Sequence, residues 1–289
     1  MSHLRRIALE LKRMARAARH GRLLSLLPMS PPPRTPAIDG VDFQCNVCGM
    51  HNRDVERALV SNREAHSCRY CLSSLRMRAV IHALSQELYG EPLLLPQFPR
   101  DKSLRGLGMS DWDGYALALA HKLNYTNTYY HTEPRLDITA PHERWLGQNR
   151  FLSSCDVFEH IPIASLAEGF KNCRRLLRDD GVLLLTVPYQ KSGSTVEHFP
   201  SLHDYRVVAE KGKRVLLNTT ADGRHERFDD LIFHGGGGST LEMRVFSEPD
   251  LLAALREAGF SSIRIYTDIL PGNGILWPMD QAVPIAARA

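Results

Sequence analysis

No long hydrophobic run is present. The longest near-continuous apolar stretch, residues 182–187 of the 289, falls far short of the roughly 20 residues that a bilayer-spanning helix needs. The opening segment is rich in arginine and lacks the apolar core and small-residue cleavage site of a secretory leader. A strong excess of one charge is also missing. A formal net charge of +4 is too small for the whole chain to bind polyanions by bulk charge, and the basic excess concentrates near the N-terminus. With no secretion signal, the six cysteines are expected in a reducing compartment, as metal ligands or free thiols. The expectation is a cytoplasmic globular protein, and 43% hydrophobic with 24% charged residues suits that class. Its length accommodates one full α/β domain and a smaller appendage.

Residues 2–24 read as a basic amphipathic helix. Leu4, Ile7, Ala8, Leu11 and Ala15 recur at helical spacing, with Arg5, Arg6, Lys12, Arg13, Arg16 and Arg19 over much of the remaining surface. Such a helix suits an anionic membrane, a nucleic acid, a protein partner or its own domain, and a mitochondrial presequence is a further reading. Residues 25–40 hold Pro28, Pro31, Pro32, Pro33 and Pro36 and read as an extended linker. A cysteine module occupies 41–90, ending in a helix marked by Met77, Val80, Ile81, Leu84 and Leu88. From 100 to 289 strands alternate with helices. Strands are expected at 103–107, 125–130, 150–155, 181–188 and 262–268. Helices are expected at 114–123, along Leu166, Phe170, Cys173 and Leu177, and at 248–258 between an N-cap at Ser247 and Gly259. This alternation predicts an α/β, Rossmann-like, doubly wound and mainly parallel sheet.

Cys45-x-x-Cys48 and Cys68-x-x-Cys71 stand 19 residues apart. The spacing matches a tetrahedral four-cysteine zinc site, in which two tight turns each present two thiolates to one ion. Four protein ligands leave no position for water, so the zinc would be structural, in a zinc-ribbon-like module that depends on it to fold. His51 and His66 lie close enough in sequence to substitute, and redox pairs or an iron site are the competing readings. Cys155 and Cys173 stand alone in core-like segments and read as small buried hydrophobes.

Residues 150–162 run R-F-L-S-S-C-D-V-F-E-H-I-P; a helix then ends N-C-R-R-L-L-R-D-D-G, and V-L-L-L-T-V-P-Y follows. This unit resembles strands four and five of class I S-adenosylmethionine-dependent methyltransferases, particularly the small-molecule type with a Glu-His pair after strand four. The likeness spans roughly residues 102–280. It implies methyl transfer to an oxygen or nitrogen, with S-adenosylmethionine as cofactor and a small molecule or glycan as acceptor. Asp156, Glu159 and His160 then lie just past a strand end, where open α/β sheets bind their ligands. His160 is the candidate for positioning the acceptor or removing its proton, with Glu159 beside it. The plainer reading gives His160 a backbone partner at a turn and makes Glu159 the cap of the next helix.

The same resemblance makes Gly106 and Gly108 the remnant of a glycine-rich cofactor turn. Its third glycine is missing, and Asp111 follows where the family has an acid before. Glu133 after the second strand is expected at the ribose and Asp137 near the adenine, unless both are solvated loop acids. The stretch 130–150 is short for a helix and a third strand, so this part of the sheet is expected to be reduced. The pattern breaks over 192–247, which holds His198, His203, His234 and the glycines 235–238, and reads as a lid or acceptor insertion. Those glycines lack the Gly-Lys-Ser/Thr ending of a nucleotide-binding loop. Two other functions stay open: an RNA methyltransferase gripping substrate with the zinc module and basic helix, and a non-catalytic scaffold.

Overall fold

The computed structural model describes residues 39–210, 212–234 and 240–289. The basic stretch 2–24, all but the last two residues of the proline-rich linker and the glycines 235–238 lie outside them.

Two short strands, β1 (Gly40–Gln44) and β2 (His51–Glu56), pair antiparallel around the first cysteine turn. Gly49 closes that turn at φ +78°, a conformation that side chains with a Cβ resist. After the second cysteine turn, α1 (Leu75–Tyr89) begins at Ser74, whose hydroxyl accepts from the Met77 N–H, and stops at the left-handed Gly90.

The main sheet follows. β3 (Asp101–Met109), α2 (Asp113–Lys122) and β4 (Leu123–Thr128) make one crossover unit. A second consists of β5 (Asn149–Cys155), α3 (Ile163–Leu176) and β6 (Leu177–Thr186). The insertion folds into a three-stranded antiparallel sheet of β7 (Asp204–Glu210), β8 (Lys213–Thr219) and β9 (His225–Phe228). The chain then returns through β10 (Arg244–Ser247), α4 (Glu248–Glu257), β11 (Ser262–Ile265) and β12 (Ile285–Arg288). Ser247 caps α4 as expected, accepting from the Asp250 N–H at 3.2 Å.

The six strands lie in the order β11-β12-β6-β5-β3-β4, with β12 antiparallel to both neighbours and the others parallel. From β3 the chain moves outward to β4 and then returns to build β5 and β6 on the other side. Two right-handed crossovers in opposite directions place their helices on opposite faces. Alternate side chains of the strands obey this. Leu107, Leu152, Leu183 and Leu185 pack with Phe170 of α3 and Leu251 of α4. Phe151, Val182 and Leu184 turn the other way, toward Leu119 of α2 and Ile81 and Leu84 of α1. The molecule is thus an α/β, Rossmann-like, doubly wound sheet. The second face is also the floor of the cysteine module, because Phe43, Val47 and Cys68 belong to the same buried cluster.

Residues 129–148 hold a single 3-10 turn, Glu143–Trp145, and no strand, so β4 is the sheet's edge. Two features were not foreseen: β12, and the three-stranded sheet within the insertion. Among the described residues no helix is long and apolar enough to cross a membrane.

β3 lies tight against β5. A Cβ added at Gly106 would fall 2.2 Å from atoms of the Phe151 ring. Gly106→Ala is expected to cost about 1–3 kcal/mol through overpacking, read as a lower melting temperature; an unchanged melt would show that the ring yields freely.

Candidate functional site

The two cysteine turns converge. Cys45 Sγ lies 3.7 Å from Cys71 Sγ, Cys48 Sγ lies 3.7 Å from Cys68 Sγ, and all four sulfurs sit within 4.8 Å of one another. These separations far exceed a disulfide bond of about 2.05 Å. The two 3.7 Å pairs match the edge, about 3.8 Å, of a tetrahedron whose sulfurs stand about 2.3 Å from a zinc ion. Polar groups line the cluster: Asn52 Nδ2 donates to Cys68 Sγ at 3.4 Å, and Ser73 Oγ lies 3.2 Å from Cys45 Sγ. Beside it, Arg78 is fully buried and gives its hydrogens to neutral oxygens of Ser73, Ser67 and Gly274. Burial pulls its guanidinium below the ordinary value and the four cysteines oppose that fall, so a metal–thiolate centre of negative charge suits this neighbour. His66 is not among the cluster's possible ligands, and its Nδ1 lies 2.6 Å from the Leu72 carbonyl.

The loop that carries the second cysteine pair also reaches the end of β5. Arg63 Nη2 and Nη1 meet the two oxygens of Asp156 at 2.7 and 3.1 Å, and Arg76 Nε meets one of them at 3.2 Å. Glu64 accepts from Arg76 at 2.8 and 2.9 Å and also pairs with Arg63. The Arg76 N–H donates to the Arg63 carbonyl at 3.1 Å, closing the loop on itself. Burial pushes the Asp156 carboxyl up, but the two guanidiniums outweigh it and hold it below the usual carboxylate range. Asp156 has φ +54°, in the left-handed region, and Ser110, at the end of the adjacent β3, has φ +58°. Neighbouring strand ends therefore turn sharply at the place where the strand order reverses.

Asp111 faces inward. It is 3% exposed and accepts from Tyr115 Oη at 2.8 Å, from Tyr125 Oη at 2.6 Å and from Ser153 Oγ. Asn127 brackets its backbone, accepting from the Asp111 N–H at 2.9 Å and donating to its carbonyl at 2.8 Å. Burial raises the carboxyl above its ordinary value, with Ser153, Tyr125 and Tyr115 acting against the rise. This network also fills the space beside Gly108, where a Cβ would sit 1.9 Å from Tyr125 Oη and 2.5 Å from Asp111 Oδ2. Expected as a cofactor ligand, the Asp111 carboxylate is instead the centre of an internal hydroxyl cluster. What the two glycines admit is the chain's own Phe151, Tyr125 and Asp111.

Glu133 and Asp137 lie on the loop after β4. Glu133 is largely exposed and takes the Arg135 N–H at 3.0 Å. Asp137 Oδ1 accepts from the Thr139 N–H at 3.0 Å and its hydroxyl at 2.7 Å.

Glu159 and His160 occupy a 3-10 turn, Phe158–His160. His160 meets backbone, its Nδ1 lying 2.8 Å from the Leu241 carbonyl. Its Nε2 is 3.7 Å from Glu159 Oε1. Glu159 is fully buried and does not cap α3, whose N-cap is Pro162 without a side-chain bond. The insertion pins this turn: the Met243 N–H donates to the Glu159 carbonyl and Arg244 Nη1 to the Phe158 carbonyl, both at 2.8 Å. Arg63 and Arg76 were missed in the sequence. Their one signal is symmetry, with Arg63 five residues before Cys68 and Arg76 five after Cys71.

No protein-family model matches the chain, and no curated protein matches it. Among similar solved structures is the Burkholderia thailandensis 1,6-didemethyltoxoflavin-N1-methyltransferase, at 14% identity and a TM-score of 0.40, over 73% of this chain and 78% of that one. The sugar N-methyltransferase KedS8 from Streptoalloteichus is 14% identical, with a TM-score of 0.41 over 74% and 87% of the two chains. For the glycopeptide N-methyltransferase MtfA complexed with sinefungin the values are 12%, 0.43, 79% and 99%. Likenesses this remote do not carry an activity from one chain to another.

Two outcomes are expected from this geometry. The folded protein should hold about one zinc per chain by elemental mass spectrometry, lost in Cys45→Ser/Cys68→Ser; a folded chain free of metal would contradict it. The folded value of Asp111 lies above its unfolded one. Its stabilising contribution is therefore complete below the ordinary carboxylate range and is lost as pH rises through the raised value. Asp111→Asn should flatten that decline in urea unfolding at stepped pH, and an unaltered slope would rule out Asp111 as its source.

Proposed function

We propose that the chain is an S-adenosylmethionine-dependent methyltransferase acting on an oxygen or nitrogen of a small molecule or sugar, with a structural zinc ion on Cys45, Cys48, Cys68 and Cys71. The observation that carries this reading is the pair of left-handed residues, Ser110 and Asp156, ending adjacent parallel strands at the topological switch point. Ligands of open α/β sheets bind in the crevice outside such strand ends. The segment S-C-D-V-F-E-H, which carries the family resemblance, runs from the end of β5 into the turn that follows it.

The residues present fit the cofactor, by a route other than bare glycine contact. S-adenosylmethionine, when bound, supplies a methyl group on a positively charged sulfur. Glu133 and Asp137 are assigned to its ribose and adenine, as carboxylates on the loop beyond β4. Gly106 and Gly108 let β3 approach Phe151 and Tyr125, which sets where the turn at Ser110 emerges. Asp111 stiffens that turn from beneath. Asp156, locked by Arg63 and Arg76, holds the end of β5 still, and Glu159 and His160 fix the following turn to the insertion. A preorganised crevice of this kind contributes through alignment of acceptor and methyl carbon.

One observation favours a second reading, the non-catalytic scaffold: the space beside Gly108 is already filled by Tyr125 and Asp111. Calorimetric titration of the zinc-loaded protein with S-adenosylhomocysteine separates the two. The methyltransferase reading expects micromolar binding, weakened about tenfold or more, a loss of at least about 1.4 kcal/mol, in Asp137→Ala and Glu133→Ala. A folded protein that binds neither this product nor S-adenosylmethionine would favour the scaffold.

A further inference from the structure

We propose that His198, oriented by Glu242, is the base that takes the acceptor's proton, and that the acceptors are accordingly alcohols or amines; this rests on the methyltransferase reading above. The Glu-His pair after β5 is poorly placed for the task. His160 turns Nδ1 to a backbone carbonyl and Nε2 toward Glu159, so neither nitrogen offers a lone pair outward.

His198 differs in each respect. Its Nε2 lies 2.9 Å from Glu242 Oε1, and Glu242 is 5% exposed. A carboxylate can only accept, so the proton resides on Nε2 and the lone pair on Nδ1. A quarter of the His198 side chain remains exposed, which leaves the ring within reach of a ligand. A base oriented by a carboxylate is the arrangement that a Ser-His-Asp triad uses.

Position supports the same assignment. The His198 N–H donates to the Met243 carbonyl at 2.8 Å, and the Met243 N–H donates to the Glu159 carbonyl at 2.8 Å. His198 therefore stands two backbone spacings, each about 4.8 Å, from the turn that follows β5. The other charged groups nearby are engaged. Glu197 pairs with Arg244 at 2.5 Å, and Arg244, fully buried, also holds the Phe158 carbonyl. Glu159 and His160 face one another.

In the step, the acceptor's O–H or N–H proton passes to His198 Nδ1 while the acceptor's lone pair bonds to the methyl carbon. The carbon–sulfur bond breaks, its electron pair stays on sulfur and cancels the sulfonium charge, and the imidazolium returns its proton to water.

The test uses the full zinc-loaded chain and has three arms. Calorimetry with S-adenosylhomocysteine checks the underlying reading, and absence of binding overturns both claims. Diethyl pyrocarbonate, which attacks neutral imidazole nitrogen, is followed at each histidine by peptide mass spectrometry. His198 is expected to react several-fold faster than His160, more slowly in Glu242→Gln, and more slowly with S-adenosylhomocysteine bound. Binding of S-adenosylhomocysteine together with an unreactive His198 overturns the dyad alone. On an alcohol or amine methylated in a screen with labelled cofactor, His198→Ala is expected to lower kcat about 10²–10⁴-fold with product affinity unchanged, and added imidazole to restore part of it. Full turnover in that variant overturns the proposal.

Discussion

The contact between Asp156 and the two arginines of the cysteine loop is the constraint on which the rest of the site depends. Asp156 ends β5 in a left-handed conformation at the switch point, and Arg63 and Arg76 come from either side of Cys68 and Cys71. Charges this buried are costly to desolvate, and removing one partner of such a pair typically costs about 3–5 kcal/mol. The arginines can reach Asp156 only if the loop keeps its shape, which the sulfur cluster and the Arg76–Arg63 backbone bond impose. The sulfur cluster, the start of α1 and the end of β5 thus form one mechanical unit. Arg78 extends it to the C-terminal segment through the Gly274 carbonyl, where Phe43 also packs.

Two acids at neighbouring strand ends occupy opposite environments. Asp111 lies below the strand ends, among hydroxyls, and burial lifts its carboxyl; Asp156 lies above them, and guanidiniums hold its carboxyl down. Proximity in the fold does not determine charge state; the partner does. The inner acid ties the end of β3 to α2, β4 and β5 through Tyr115, Tyr125 and Ser153, while the outer acid ties the sheet to the cysteine module. The strand ends are stiffened from both sides, and the insertion adds a third support by pinning the turn at Glu159.

What was legible in the sequence is local. Cys-x-x-Cys turns declare themselves because two thiolates on one tight turn have few other uses, and β5 and β6 show as apolar runs flanking an amphipathic helix. β12 was not legible: I-A-A-R has no strand pattern, and its place between β6 and β11 is decided by burial of Ala286 and Ala287 against them. Nor were the contacts that define the site. Arg63 and Asp156 lie 93 residues apart, and His160 and the Leu241 carbonyl 81. The direction in which Asp111 points follows from Tyr115, Tyr125 and Ser153, each unremarkable within its own element. The Glu-His motif stood out by resemblance, yet its histidine is tied to backbone. His198, within a segment where the pattern breaks, has the better-arranged partner.

The sulfur cluster, through Arg63 and Arg76, holds the end of β5 at Asp156. Hydrogen exchange of the zinc-loaded and chelator-treated protein, read by mass spectrometry over residues 151–160, tests it most directly. Metal removal is expected to speed exchange there as well as within the cysteine module, and Asp156→Asn to produce the same change at 151–160 with the metal still bound. Faster exchange confined to residues 41–74, with 151–160 unaltered in both cases, would contradict it.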